Sequence, residues 1–346
     1  MPDTDMTVTA DDGTLLAGTL TRPAGPGPHP AVVLLHGSGP LDRDGNTRSL
    51  PLGLGGPLAD ALAAAGVATL RYDRRGAGAT PGNWQESGFT DNREDASAAV
   101  RALRAHPDVR AGSVGVVGHS EGALHGMTLA ARGEVAAVAL LAGFAGTGEA
   151  AFRWQAASVF RGLPAPVRLL RRPLGALGER VLARIGRTTT DVARVAGKEV
   201  NARWMREMLV HDSRADLAAV TVPALAVTGD KDIQVDPADL DVMRRLVPGG
   251  GIETHRVPDL THLLRRDAGR PTIRSYKRLL REPVDADVLA LVAEWLGSRL
   301  GESGLSESRL GESGLSESRL GESGLSESRL GGPAHDPRDE RRATRP

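Results

Sequence analysis

The sequence predicts an α/β protein with a mostly parallel central sheet, helices on both faces and a helical insertion. Three observations point to this. Continuous apolar runs such as Ala31-Val32-Val33-Leu34-Leu35 and Val114-Gly115-Val116-Val117 read as strands buried on both faces. Such runs alternate with helix-length segments, as in parallel sheets built from strand–helix–strand units. The alternation stops at one point, between Leu141 and Ala224, and an insertion there can lie over the carboxyl edge of the strands, where ligands bind in open α/β sheets.

Taken in order, Leu15 to Thr21 reads as an early antiparallel strand, followed by the buried run Ala31 to Leu35. A helix over Pro57 to Ala65 precedes a strand from Val67 to Tyr72, and Asp91 to Ala105 forms the next helix, with Ala98 and Leu103 on its apolar side. The strand Val114 to Val117 leads into a helix from Glu121 to Ala131, and Val135 to Leu141 is a further strand. After the insertion come the strand Ala224 to Thr228, the helix Pro237 to Leu246, the strand Ile252 to Val257 and a last helix from Asp285 to Leu300. These assign residues 1–143 and 216–300 to an α/β core and 144–215 to a helical cap.

The cap segment shows no strand signal and carries many arginines, among them Arg168, Arg171, Arg172, Arg180, Arg184 and Arg187. A solvated helical face is the simpler account, and a surface for anionic substrates or membrane the sharper one. From Gly301 to Leu330 the ten-residue unit GESGLSESRL occurs three times in tandem. Two leucines per unit give too little apolar surface to offset the cost of ordering, so residues 301–346 are expected to be a disordered tail.

Composition narrows the function. Forty-three basic residues balance forty-three acidic ones, which argues against nucleic acid as a partner. The chain has no cysteine, hence no disulfide framework and no thiol chemistry. The acidic start Met1-Pro2-Asp3-Thr4-Asp5 lacks the features of a signal peptide, and the longest apolar run, Val135 to Ala142, is too short for a membrane span. A cytoplasmic protein with no membrane partner is expected. With four Phe, four Trp and two Tyr, its core must be built mainly from Leu, Val and Ala.

Gly118-His119-Ser120-Glu121-Gly122 has the form G-x-S-x-G. A buried strand precedes it and an apolar helix follows, the setting in which a strained turn lifts a serine hydroxyl above the sheet. Ser120 is thus the candidate nucleophile. Acyl transfer needs N–H donors where negative oxygen develops. The candidates are the backbone N–H of Glu121, next to the serine, and that of Ser38 in the loop His36-Gly37-Ser38-Gly39-Pro40. His36 reads as a brace for this loop.

A downstream acid and histidine should follow. Thr228-Gly229-Asp230-Lys231-Asp232 and Pro258-Asp259-Leu260-Thr261-His262-Leu263 each leave a predicted strand at the same edge. His262 is favoured as general base over His255, which falls within a strand. Asp232 is favoured as the orienting acid over Asp230, which is suited to bond the turn itself.

These residues give the chain, over roughly residues 10 to 300, a resemblance to α/β-hydrolase esterases and their serine-peptidase relatives. Leu35-His36-Gly37-Ser38-Gly39-Pro40-Leu41-Asp42-Arg43-Asp44 looks like a segment of one bacterial esterase subgroup that also carries a G-H-S-E-G elbow. Arg71-Tyr72-Asp73-Arg74-Arg75-Gly76-Ala77-Gly78 is similar to that family's structural D-x-R-G-x-G loop. The resemblance implies a carboxylesterase with no metal or organic cofactor. Leu41, where a polar residue is expected, and Thr261, where Asn is frequent, depart from the pattern but touch no triad position. The expected activity is cleavage of small-molecule esters with short to medium acyl groups. Amide, peptide or thioester hydrolysis is the nearest alternative, and a non-catalytic binding module is more distant.

Overall fold

The computed structural model describes residues 3–163 and 171–317. Arg168 and the end of the tail, 318–346, lie outside the described residues. Residues Met1–Leu305 form one compact unit, and Ser306–Pro346 are a second.

The chain opens with β1 (Asp3–Thr9), β2 (Leu15–Thr21) and β3 (His29–Leu35), then α1 (Gly55–Ala64), β4 (Ala68–Tyr72) and α2 (Phe89–Arg104). β5 (Val109–His119), α3 (Glu121–Ala131) and β6 (Val138–Leu141) follow. Between β6 and the next sheet strand lie α4 (Gly148–Arg161), α5 (Arg171–Gly186), β7 (Val192–Val195), β8 (Lys198–Asn201), α6 (Ala202–Val210) and α7 (Ser213–Ala219). The sheet resumes with β9 (Ala224–Gly229), α8 (Asp239–Leu246) and β10 (Ile252–Val257), and α9 (Tyr276–Leu279) and α10 (Ala286–Glu317) complete the described chain.

Eight strands form one sheet in the order β1-β2-β4-β3-β5-β6-β9-β10. The pairs from β4 to β10 are parallel, while β1 with β2 and β2 with β4 are antiparallel. Strand pleat sends alternate residues to opposite faces. Val33 and Leu35 join a cluster with Leu103 of α2, Met127 of α3 and Met243 of α8. Val32 and Leu34 join another with Leu58 and Leu62 of α1 and Val292 and Leu296 of α10. Both clusters are rich in Leu, Val and Ala, as the composition requires. Because β3, β4, β5, β9 and β10 run parallel, the loops after Leu35, Tyr72, His119, Gly229 and Val257 open at one edge.

Among the structure's departures from the expected elements, three stand out. β1 was not expected; it pairs with β2 in register from Asp3↔Thr21 to Thr9↔Leu15. The segment 144–215 also holds an unexpected hairpin, β7–β8, whose turn sets Ala196 at φ 49° and Gly197 at φ 80°. Two consecutive left-handed residues are what a tight two-residue hairpin needs. The last helix, expected to end at Leu300, continues to Glu317 and includes the first part of the repeats. Little apolar burial is needed for this, because an already nucleated helix adds a hydrogen bond for every residue it gains. In the segment 144–215, Arg172, Arg180, Arg184 and Arg187 are exposed. Its two ends meet: Thr147 bridges Asp212, Gly148 N–H donates to His211 O at 3.0 Å, and Ser213 N–H to Gly146 O at 3.1 Å. Among the described residues no helix is long and apolar enough to cross a membrane.

Candidate active site

Ser120 stands between the end of β5 and the start of α3 with φ 56° and ψ −118°, a conformation that strains any residue with a side chain. Its N–H is held by Leu141 O at 2.9 Å, and its carbonyl accepts the N–H of Ala123 at 3.0 Å. The flanking glycines are required by close approach. A Cβ on Gly118 would lie 2.2 Å from Gly122 O, and one on Gly122 would lie 2.1 Å from Leu35 O.

His262 Nε2 lies 3.1 Å from Ser120 Oγ, and its Nδ1 lies 2.8 Å from Asp232 Oδ2. Both His262 and Asp232 are buried. The remaining oxygen, Asp232 Oδ1, accepts the N–H groups of Gln234 at 2.7 Å and Val235 at 3.0 Å. Asp230 instead accepts the N–H of Asp259 at 2.7 Å, tying the acid loop to the histidine loop. Lys231 spans the same two loops, donating to Asp267 O at 2.6 Å. His255 sits on edge strand β10, paired with Glu253 at 2.5 Å and remote from this group. Of the histidines and acids weighed from sequence, the fold brings His262 and Asp232 to Ser120.

Gly37 packs against the serine: a Cβ there would lie 3.2 Å from Ser120 Cβ. Among the described residues the N–H groups of Ser38 and Glu121 donate to no protein acceptor. His36 braces the loop as expected, its Nε2 lying 2.8 Å from Arg43 O. Asp73 in the following loop accepts from Arg43 Nη2 at 2.8 Å and from Ala79 N–H at 2.8 Å, a structural role. Thr261 Oγ1 donates to Arg265 O at 2.8 Å, closing the turn before His262.

Two residues were not foreseen, His119 and Arg74, and Glu121, foreseen for its backbone N–H alone, has a further part in its side chain. His119 is buried, and burial, aided by the neighbouring His262, pushes its pKa down to about 3. Being neutral, it donates Nε2–H to the His262 carbonyl at 2.9 Å and so fixes the loop that carries the base. The Glu121 carboxylate gathers four donors. Trp204 Nε1 reaches Oε2 at 2.9 Å, while His125 Nε2 at 3.1 Å, Asn92 Nδ2 at 3.3 Å and Arg74 Nη2 converge on Oε1. Burial works to raise this carboxyl, but the Arg74 charge and the His125 hydrogen bond outweigh it and hold the group ionised. Arg74 also donates to the Gly37 carbonyl, so one buried guanidinium joins both segments that present the free N–H groups. An acidic residue directly after the elbow serine was the one available signal, since a buried carboxylate demands a partner.

A serine hydroxyl facing a histidine whose other nitrogen faces a carboxylate can be deprotonated as it attacks a carbonyl carbon. Unused N–H groups beside the hydroxyl can receive the resulting oxyanion.

Comparison with known proteins bears on the fold and the family. The chain is 27% identical over 291 residues to esterase EstD of Thermotoga maritima, a match covering 81% of this chain and 65% of that relative, just under two thirds of its length. Est1E from Butyrivibrio proteoclasticus with ferulic acid bound superposes with a TM-score of 0.56 at 19% identity, over 86% of this chain and 98% of that one. Proline iminopeptidase from Mycobacterium smegmatis gives a TM-score of 0.56 at 16% identity, over 87% and 100%. At such identities these structures speak for the α/β-hydrolase fold alone. The model of one hydrolase family spans the elbow, the acid loop and the histidine loop together, matching residues 52–268, and so the chain belongs to the family described as serine aminopeptidase, S33.

Proposed function

We propose that the chain is a serine carboxylesterase that cleaves esters of short to medium acyl groups through an acyl-enzyme. The observation that carries this reading is the relay Asp232–His262–Ser120, at 2.8 Å and 3.1 Å, on a serine held at positive φ. Asp232 fixes the tautomer with the proton on His262 Nδ1. His262 Nε2 takes the Ser120 proton as Oγ attacks the acyl carbon, and the oxyanion is received by the N–H groups of Ser38 and Glu121. His262 then protonates the departing alcohol, and water repeats the sequence to free the acid. No metal or organic cofactor enters this scheme.

In the same reading, residues 144–215 act as a cap on the core formed by 1–143 and 216–300, and residues 301–346 take no part in turnover. The substrate is a small molecule and the setting cytoplasmic, as the cysteine-free composition suits. Removal of an amino-terminal residue from peptides is the second reading, favoured by the family's description. It needs a carboxylate to hold the substrate ammonium, and Glu121, the acid nearest the serine in sequence, is buried and already accepts from four side chains.

Two measurements test the proposal. A fluorophosphonate probe should label Ser120 on peptide mapping, and turnover without that label would overturn the mechanism. On a panel of p-nitrophenyl esters and aminoacyl anilides, kcat/KM should be higher on the best ester. A higher value on any anilide promotes the peptidase reading.

A further inference from the structure

A cavity of about 190 Å³ lies between the first loop and the inserted segment. Its wall includes Ser38, Gly39, Arg74, Trp84, Asn92 and Trp204. It therefore begins one residue from Gly37, which packs on Ser120. Its polar groups are largely engaged. Arg74 serves Glu121 and the Gly37 carbonyl, while Asn92 and the Trp204 indole N–H also serve Glu121. Apart from Ser38, what this lining has left to offer a ligand is apolar, chiefly two indole rings.

A second cleft, of about 370 Å³, lies at Asp232, shares no lining residue with the first, and is lined with Trp154, Arg161, Arg256 and Asp236. Around a tetrahedral acyl carbon bonded to Ser120 Oγ, the oxyanion points to the Ser38 and Glu121 N–H groups. The departing oxygen must face His262 Nε2, which protonates it. The acyl substituent takes the remaining direction, away from the base and its acid; the indole-lined cavity begins at Ser38 and Gly39 and includes neither His262 nor Asp232 in its wall.

We propose that this cavity receives the acyl group and that Trp204 is its specificity-determining wall. The inference rests on Ser120 being the nucleophile of an esterase. An apolar cavity of about 150 Å³ holds one benzene ring. The space here suits an uncharged acyl group of one ring plus a methylene or two, or an alkyl chain of similar bulk. Tied to Glu121 by its indole N–H and set edge-on to Phe152 with centroids 6.2 Å apart, Trp204 is held as a stop rather than a flap.

The test measures kcat/KM of the full-length chain on p-nitrophenyl acetate, butyrate, octanoate and phenylacetate, with Trp204→Ala, Trp204→Phe and Trp84→Ala beside the wild type. Each methylene newly buried is worth roughly fourfold, so opening the wall for two of them should raise the octanoate-to-butyrate ratio by about tenfold or more. Trp204→Phe keeps the bulk and drops the N–H, so its ratio should stay near wild type even if its overall rate falls. A ratio moved by less than about threefold in both alanine variants overturns the acyl-pocket assignment. Should one alanine variant fail to fold, the other decides alone. Fluorophosphonate labelling separates the two claims: wild type unlabelled at Ser120 overturns the esterase reading, whereas labelling with an unmoved ratio overturns only the pocket.

Discussion

Replacing Asp232 by asparagine should disable the enzyme through a single proton. The two oxygens of Asp232 do different work: Oδ1 accepts two backbone N–H groups and Oδ2 faces His262 Nδ1. An asparagine must keep its carbonyl oxygen toward Gln234 and Val235, because an NH₂ there would set donor against donor. Its NH₂ then faces Nδ1, which can only accept. The ring proton moves to Nε2, 3.1 Å from Ser120 Oγ, where the base has to be empty to take the hydroxyl proton. A wrong tautomer of this kind costs about 10⁴ in kcat, or about 5.4 kcal/mol. The assay is kcat and KM on p-nitrophenyl butyrate, with the rate of fluorophosphonate labelling as a second readout and thermal unfolding as a check on folding. Asp230→Asn is the control. Its oxygen can still accept the Asp259 N–H, and even losing that bond is worth about 1 kcal/mol, so the loss should stay within about fivefold. A folded Asp232→Asn variant that loses less than about tenfold, or one that outperforms Asp230→Asn, would refute the reasoning.

Three further outcomes follow from the structure. Gly122→Ala places a Cβ 2.1 Å from Leu35 O, a backbone atom of a central strand, and should cost about 3 kcal/mol or more, read as a lowered urea midpoint. Burial raises Asp239 to about 6, with Asp236 adding to the rise while the Ala145 N–H opposes it. A carboxyl raised above its unfolded value contributes stability in full below that unfolded value, and the benefit is lost as pH climbs through about 6. Asp239→Asn should therefore raise Tm by about 2–3 °C at pH 7.5, discounted for partial exposure, and change it little at pH 4. A chain ending at Leu300 should keep its turnover, and a Tm loss above about 5 °C on truncation would show that the segment from Gly301 onward supports the fold.

Much of this was legible in residue order because it depends on pattern. Runs such as Ala31–Leu35 are buried on both faces and need no partner to be recognised. The groups that meet at Ser120 each leave the carboxyl end of a parallel strand, so topology alone gathers His262 and Asp232 there. What could not be read depends on distant pairing. β1 has an exposed, polar face and gains its meaning from β2, while β7 and β8 are four residues each and announced only by Ala196-Gly197. The Glu121 network joins residues as far apart as Arg74 and Trp204, and no local periodicity links them. The helix past Leu300 was missed for the opposite reason, since local propagation outweighed a lack of apolar residues.

The meeting of Thr147 with Asp212 bears on how such a molecule can be altered over generations or at the bench. β6 and β9 pair directly, from Val138↔Ala224 to Leu141↔Val227, without help from the chain between them. That chain leaves and rejoins at a single backbone bridge, so a stretch of different length can be spliced in without moving either strand, and the closing entropy changes only with the logarithm of its length. The excursion is a portable cassette. A replacement has to bring an N–H donor to Glu121, as Trp204 does, a partner for the Trp84 and Ser87 carbonyls, as Asn201 does at 2.7 Å to each, an acceptor for the Thr90 N–H, as Glu207 is at 2.8 Å, and a cation for Asp91, as Arg203 is; beyond these it is free to redraw the substrate's surroundings.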